Sequence, residues 1–457
     1  MLIDIVKDTL QRNNLIPERC RILVALSGGA GSVCLLHTLL ALKVELGITL
    51  YAAHVNHQLR GDEADRDEAF VINLCRQWDV PCFNRSFDVK EYAEEKKMTL
   101  EEAGREVRYS FFESLLQEHE IDYVATAHHN DDNVETVVMR FMRGSGLHGL
   151  SGIPLCNNRR VIRPLLYVSR EHIMEYIAQN QLSFVTDSTN ADNFYHRNRI
   201  RLELIPHLEQ LNPNFKQTLC KNIQLYREAD TFLQENAFVR LQRLAEIRRY
   251  DISFSISELK KEPDAMRHLI IYQAMQHISG AQCPDSSRVF DVDRCMSAGR
   301  GSVCAGGGLT VHTVYGRLYI VKERPRPNCS YPLPLRESVQ IVETGAVITA
   351  KKKNKVTKTP EDKKHTIYLS CKKVQTSELS VRFRKNGDVF YPIGFGHKKK
   401  LQDYFVDKKL PRFIRDFVPL LMVGDKIAWV CGYRADQRFC PEENDDSVIE
   451  ITYTEDE

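Results

Sequence analysis

Short apolar runs alternate with longer segments of helical spacing from about residue 20 to residue 215. The runs Ile22 to Leu26, Leu50 to Val55, Cys82 to Phe87 and Tyr123 to Ala127 read as buried strands. Between them, Asp62 to Trp78 opens on acidic residues and continues with apolar positions at helical spacing. Strands alternating with helices predict a parallel sheet with right-handed crossovers, whose ligands gather at the carboxyl ends of the strands. The texture changes after "IPHLEQLNPNF": residues 216 to 280 read as helical, and "GRGSVCAGGGLTVHTVYGRLYIV" reads as hairpin strands. A lysine-rich tract, Lys351 to His365, reads as an exposed linker, and residues 366 to 454 as short strands and turns. The expected organisation is an α/β domain at 1–215, a helical and hairpin domain at 216–345, a linker at 346–365 and a small α+β domain at 366–457.

A length of 457 residues fits two to four domains, and 43% hydrophobic with 27% charged residues fits a soluble globular chain. No run of about 18 apolar residues indicates a membrane span. The opening "MLIDIVKDTLQRNN" alternates charged and apolar residues as an amphipathic helix does, unlike a signal peptide. Thirteen cysteines include no C-x-x-C pair, so reduced thiols in a cytoplasmic protein are expected. A net charge of +2 gives no global attraction to nucleic acid, so local clusters have to carry that argument.

One stretch stands at the end of the first predicted strand: Ser27, Gly28, Gly29, Ala30, Gly31 and Ser32, followed by a helical pattern. Glycines let successive N–H groups turn inward around an anion, and the helix start adds partial positive charge. The spacing is neither G-x-x-x-x-G-K-[ST] nor G-x-G-x-x-G, and a plain tight turn fits the same residues. Asp132 and Glu135, three apart beside His128 and His129, share a helical face able to hold an ammonium or a metal ion. They serve equally as a cap and a dipole partner. His54, Asn56 and His57 fall at the end of the second strand, with Arg60 before the next helix; hydrogen-bonded structural histidines account for them as well. Thr99 and Glu102 have capping-box spacing, and Arg105 and Arg108 follow on one face, toward phosphates or toward solvent. Arg140 and Arg143 before "GSG", and Arg197, Arg199 and Arg201 beside Asn198, suit phosphate contacts or solvated helix ends.

Taken in order, "SGGAGS" at 27–32, "HVNHQLRGDEAD" at 54–65, "EEAGREVRY" at 101–109, "ATAHHNDDNVET" at 125–136, "MRGSGLHGLSGI" at 142–153 and "RNRIRLELIPHL" at 197–208 resemble the tRNA(Ile)-lysidine synthetases of the PP-loop ATP pyrophosphatase group. The tail "RKNGDVFYPIGFGHKKKLQDYFVDKKLPRFIRDFVPLL" is similar to the end domain of the longer bacterial members. The resemblance implies a parallel-sheet PP-loop catalytic domain at 1–215, with the later domains binding tRNA. It implies ATP-dependent adenylation of the wobble cytidine of a CAU-anticodon isoleucine tRNA at its C2 oxygen. The ε-amine of free lysine then displaces AMP and leaves lysidine.

By the same resemblance, ATP is expected on Ser27, Gly28, Gly29, Ala30, Gly31, Ser32, His54 and Arg105, with Mg2+ on ligands left unassigned. Asp132 and Glu135 are expected to hold lysine and help take its proton, with His128 and His129 near the nucleotide. Arg143, Arg197, Arg199, Arg201, Lys398, Lys399, Lys400, Arg412 and Arg415 are expected on tRNA, and a homodimer is expected. One departure matters. The family's loop reads S-G-G-x-D-S, and Gly31 stands where the catalytic aspartate belongs. The N–H cradle survives that change, while metal-assisted adenylation is expected to weaken. A smaller departure is Gly104, where the family often has alanine. The alternatives are a non-catalytic tRNA- or nucleotide-binding relative, and a PP-loop tRNA thiolase, which the lack of paired cysteines disfavours.

Overall fold

The computed structural model describes residues 1–59, 61–186, 196–280, 285–354, 362, 364–374, 378–442 and 445–454. Arg60, the "DSTNADNFY" stretch and most of the second half of the lysine tract lie outside the described residues. The chain divides into two compact units, Met1–Phe232 and Leu233–Glu457.

The first unit is built on a five-stranded parallel sheet. Its strands are β1 (Arg21–Ala25), β2 (Thr49–Asn56), β3 (Cys82–Ser86), β4 (Tyr123–Ala125) and β5 (Val161–Ile162), in the order β3-β2-β1-β4-β5. Ile22, Leu23 and Val24 of the central strand are wholly buried, as a strand covered on both faces must be. The covering helices are α1 (Leu2–Arg12), α2 (Ala30–Leu46), α3 (Asp62–Gln77), α4 (Val89–Lys96), α5 (Leu100–Glu118), α6 (Asn130–Met142), α7 (Leu147–Leu150) and α8 (Arg170–Gln179). One core gathers Leu10, Ile22, Val24, Leu35, Leu39 and Ile177, and a second on the opposite face gathers Leu23, Ala53, Phe111, Phe112 and Leu115. Trp78 follows α3 and lies 5.3 Å, ring to ring, from His37.

The chain lays β2 and β3 on one side of β1 and then returns to lay β4 on the other. That reversal opens a crevice between the carboxyl ends of β1 and β4, where a doubly wound sheet takes ligands. The capping box expected at Thr99 is present: Glu102 N–H donates to Thr99 Oγ1 (3.3 Å), and Thr99 N–H donates to Glu102 Oε2 (3.0 Å).

The second unit begins inside the long helix Phe215–Leu244. Its first sheet runs β6 (Ala245–Ile247), β7 (Asp251–Ser255), β10 (Arg317–Lys322), β9 (Leu309–Val314) and β8 (Gly301–Gly306), the last three forming the expected hairpins. The helices Asp264–Ser279 and Arg288–Ser297 share its core. Toward the C-terminus two further sheets pack around Trp429, which is wholly buried with its ring 6.1 Å from Tyr453. Here the linker reading needs correction. Val347–Asn354 is a strand along the whole of Ser447–Thr454, and Lys353 Nζ donates to Glu450 Oε1 at 2.7 Å. The exposed lysines belong to a strand with one solvated edge of side chains; their charge run hides the apolar positions Ile348 and Ala350 that anchor it.

Among the described residues no helix is long and apolar enough to cross a membrane, and every cysteine is free.

Candidate functional site

The apolar run of β1 ends at Ala25, and the chain turns through Ser27, Gly28 and Gly29 into α2. Gly28 takes φ +87, and a Cβ there would come within 2.7 Å of Val185 Cγ2, so the turn admits only glycine. Its carbonyl accepts from Val185 N–H at 3.0 Å. Ser32 Oγ donates to the Gly29 carbonyl (3.0 Å) and lies 3.2 Å from Ser27 Oγ, which draws the two hydroxyls together at the start of α2. No acidic residue stands in the first turn of α2, so its partial positive charge is unopposed there. At Gly31 a Cβ would meet only Ala127, Cβ and carbonyl both at 3.6 Å, an ordinary contact. Position 31 therefore has room for a side chain, which would face the backbone after β4. Ala30 is the first residue of α2. His54 is not on the loop's surface: it is 6% exposed, and its Nδ1 is 2.9 Å from the Leu26 carbonyl, holding the loop's entrance from beneath.

Across the crevice, the backbone after β4 carries Thr126 to His129 into α6. Thr126 Oγ1 is 2.9 Å from His128 Nδ1. Burial, together with the cations Arg163, Arg197 and Arg105, pushes His128 down to about 4 against the pull of Asp132, so it is neutral near pH 7. Asp131 accepts from Arg170 N–H at 2.9 Å and lies 3.3 Å from Lys216 Nζ, so it anchors the start of α8. Asp132 Oδ2 accepts from His129 N–H at 3.0 Å, the cap that the sequence allowed.

The other faces of Asp132 and Glu135 are occupied from within the chain. Arg197 donates to Glu135 Oε2 (2.8 Å) and Asp132 Oδ1 (3.1 Å). Arg201 donates to Glu135 Oε1 (2.6 Å) and Oε2 (3.0 Å), and reaches Asp132 Oδ1 at 3.5 Å. The two arginines are four apart, Arg197 on the turn His196–Arg199 and Arg201 in the π-helical segment Ile200–Leu204 that continues it, which aims both at α6. Glu135 is 2% exposed. Burial pushes the Asp132 carboxyl up, but His129 and Arg197 outweigh it and hold the group below its usual range. A cavity of about 100 Å³ beside the pair is lined by His129, Asp131, Glu135, Arg201 and Lys216.

The structure thus gathers the loop, Asp132, Glu135 and His128 at one crevice. Two of the arginines expected on tRNA, Arg197 and Arg201, pair with carboxylates of α6, and Arg199 points elsewhere, 3.6 Å from Glu203. Arg105 lies over the Tyr109 ring at 4.9 Å, and Arg143 is exposed at the end of α6. In the second unit, Lys398, Lys400 and Arg412 are exposed. Lys399 is bonded to Asp407 and sits 4.7 Å from the Phe395 ring, while Arg415 Nε donates to the Leu410 carbonyl. Sequence reasoning missed Arg163, which follows β5 and is 4% exposed. A two-residue strand gives too short an apolar run to register; the one available signal was a lone Arg-Pro between the apolar pairs of "VIRPLL".

A glycine turn feeding a helix at the switch point of this sheet defines a nucleotide-binding α/β domain of the PP-loop class. Residues 4–208 match the family model described as "PP-loop domain", and residues 379–451 match "TilS substrate C-terminal domain". Across 98% of its length the chain is 33% identical to the tRNA(Ile)-lysidine synthase of Clostridium tetani and covers 98% of that protein. It is 34% identical to the Clostridium perfringens protein of the same name, with 98% of each chain covered. The Parabacteroides distasonis protein of that name is 33% identical, with 99% of this chain and 100% of that one covered. The chain belongs to the tRNA(Ile)-lysidine synthase family.

Proposed function

We propose that this chain is the ligase its family is named for. It spends ATP to join free L-lysine to C2 of the wobble cytidine of a CAU-anticodon isoleucine tRNA. The observation that supports this most directly is the glycine cradle of Ser27 to Ser32 facing the Asp132–Glu135 pair across one crevice. Backbone N–H groups and the start of α2 hold the triphosphate, from which pyrophosphate leaves as the cytidine O2 attacks the α-phosphorus. The adenylated ring is then electrophilic at C2. Lysine's neutral ε-amine adds there, the C2–O bond to AMP breaks, and the amine's proton passes to a nearby base. The lysine ammonium reaches Glu135 only by displacing a guanidinium, because Arg197 and Arg201 already pair with it. Exposed Arg143, Arg199, Lys398, Lys400 and Arg412 are left to meet tRNA phosphates. The reading also carries a cytoplasmic homodimer, measurable by light scattering.

The family's magnesium is a different matter. Among the described residues no group of three or more His, Cys, Asp or Glu side chains can hold a metal. The loop offers the hydroxyls of Ser27 and Ser32 and no carboxylate. A magnesium ion here would be held mainly by the ATP phosphates and water, with two hydroxyls and no loop carboxylate to help, which makes adenylation slow. Incubation with ATP, radiolabelled lysine and the CAU-anticodon tRNA tests the reading. Slow lysine transfer is expected; bound tRNA without transfer, even with aspartate restored at position 31, overturns it.

A further inference from the structure

Arg163 carries a charge that the fold does not balance. It is 4% exposed at the carboxyl end of β5, with Nη1 donating to the Pro154 carbonyl at 2.7 Å. Its Nε is buried without a hydrogen-bond partner. Among the described residues no carboxylate pairs with it, whereas the buried Arg267 pairs with Asp264 and Asp293. A buried cation without a counter-charge is expensive, and sites that keep one do so for a ligand that supplies the anion.

The surroundings say which ligand. Thr126 N–H donates to the carbonyl of Ile162, the residue before Arg163, and Thr126 also holds His128. Arg163 therefore stands one strand beyond the backbone that Gly31 faces. The hydroxyl of buried Tyr109 neighbours Arg163, and the Tyr109 ring also carries Arg105 at 4.9 Å. Arg105, exposed, has no carboxylate partner among the described residues, while Arg159, the second guanidinium on that ring, is 3.6 Å from Glu113. The buried, unbalanced Arg163 and the exposed Arg105 thus share one aromatic side chain, one strand beyond the backbone that Gly31 faces. A guanidinium fork matches tetrahedral oxyanions and carboxylates, and two together on the side of the sheet's switch point where the glycine loop lies favour phosphate.

We propose that Arg163 and Arg105 form a second phosphate subsite, beside the glycine loop and separate from it, that takes a phosphate group of the nucleotide or of the RNA backbone. The proposed activity enters only in naming those two sources. The test uses the full chain and its variants Arg163→Met, Arg163→Lys and Arg105→Gln, with inorganic pyrophosphate and unmodified tRNA as separate probes in calorimetric titrations. Arg163→Met is expected to weaken at least one probe tenfold or more, Arg163→Lys to stay within about threefold, and Arg105→Gln, at an exposed position, to follow Arg163→Met. Loss confined to pyrophosphate assigns the subsite to the nucleotide; loss confined to tRNA assigns it to the backbone. Without ligand, Arg163→Met is expected to melt no lower than the parent, since it removes an unbalanced charge. A lower melting point with both affinities unchanged means a structural arginine and overturns the proposal. Tenfold weaker pyrophosphate binding in a chain that transfers no lysine would sink the proposed activity and leave the subsite standing.

Discussion

Replacing Gly31 with aspartate is expected to raise both stability and turnover, and the structure sets the size of each gain. Gly31 is the second residue of α2, has no strained φ, and has room for a Cβ at 3.6 Å from Ala127. Removing a helical glycine is worth roughly 0.5–1 kcal/mol. A carboxylate in a first turn that now has none adds about 0.3–1 kcal/mol. Together these raise the melting temperature of a unit of this size by about 2–8 °C. A charged group placed to act on the transition state is worth on the order of 100-fold in rate. The assay is radiolabelled lysine transfer over a magnesium titration, with Gly31→Asn as control. Asparagine reproduces the shape without the charge, so it should share part of the thermal gain and none of the rate gain. Equal turnover for Gly31 and Gly31→Asp, or a melting temperature lowered by the aspartate, refutes the reasoning.

Gly28→Ala should do the opposite: a left-handed φ and a 2.7 Å approach to Val185 predict a loss above about 2 kcal/mol and weaker ATP binding, read by urea melts and nucleotide titration. Glu135→Gln leaves Arg197 and Arg201 facing a neutral amide with Asp132 as their remaining carboxylate, and should lose about 1.5–3 kcal/mol in urea denaturation; a loss below about 0.5 kcal/mol would show the pair to be ornamental. His128 sets a pH dependence. Its folded pKa of about 4 lies below the unfolded 6.5, so the unfolded state binds more protons between those values. Stability is fully present above pH 6.5 and falls as pH drops toward 4, by at most about 1.4 kcal/mol per unit. His128→Asn should flatten that slope, and an unchanged slope would place the titrating group elsewhere.

The α/β alternation and the loop were legible because buried parallel strands are written as unbroken apolar runs and a glycine turn has a local cause. Ile22 to Leu26 and Ser27 to Ser32 illustrate both. Legibility failed where the cause is distant. Val161–Ile162 becomes a strand through its bonds to β4, and Val347–Asn354 through pairing with residues nearly 100 positions later. The shared face of Asp132 and Glu135 is legible in their helical spacing; that Arg197 and Arg201 bond to it is not, because basic clusters look alike whether solvated or paired. Only the placement of α6 against the segment that follows residue 195 decides between the two. His54 shows the same limit, since nothing local distinguishes a histidine under a loop from one upon it.

The two tryptophans fall one to each compact unit, Trp78 beside His37 in the first and Trp429 buried against Tyr453 in the second. The protein therefore comes with a native fluorescent reporter for each half. Trp429→Phe leaves a chain whose emission follows the nucleotide-binding unit alone, and Trp78→Phe leaves one that follows the tail. Each half's unfolding, and its response to ATP or tRNA, can then be watched separately in the intact chain without attaching a dye.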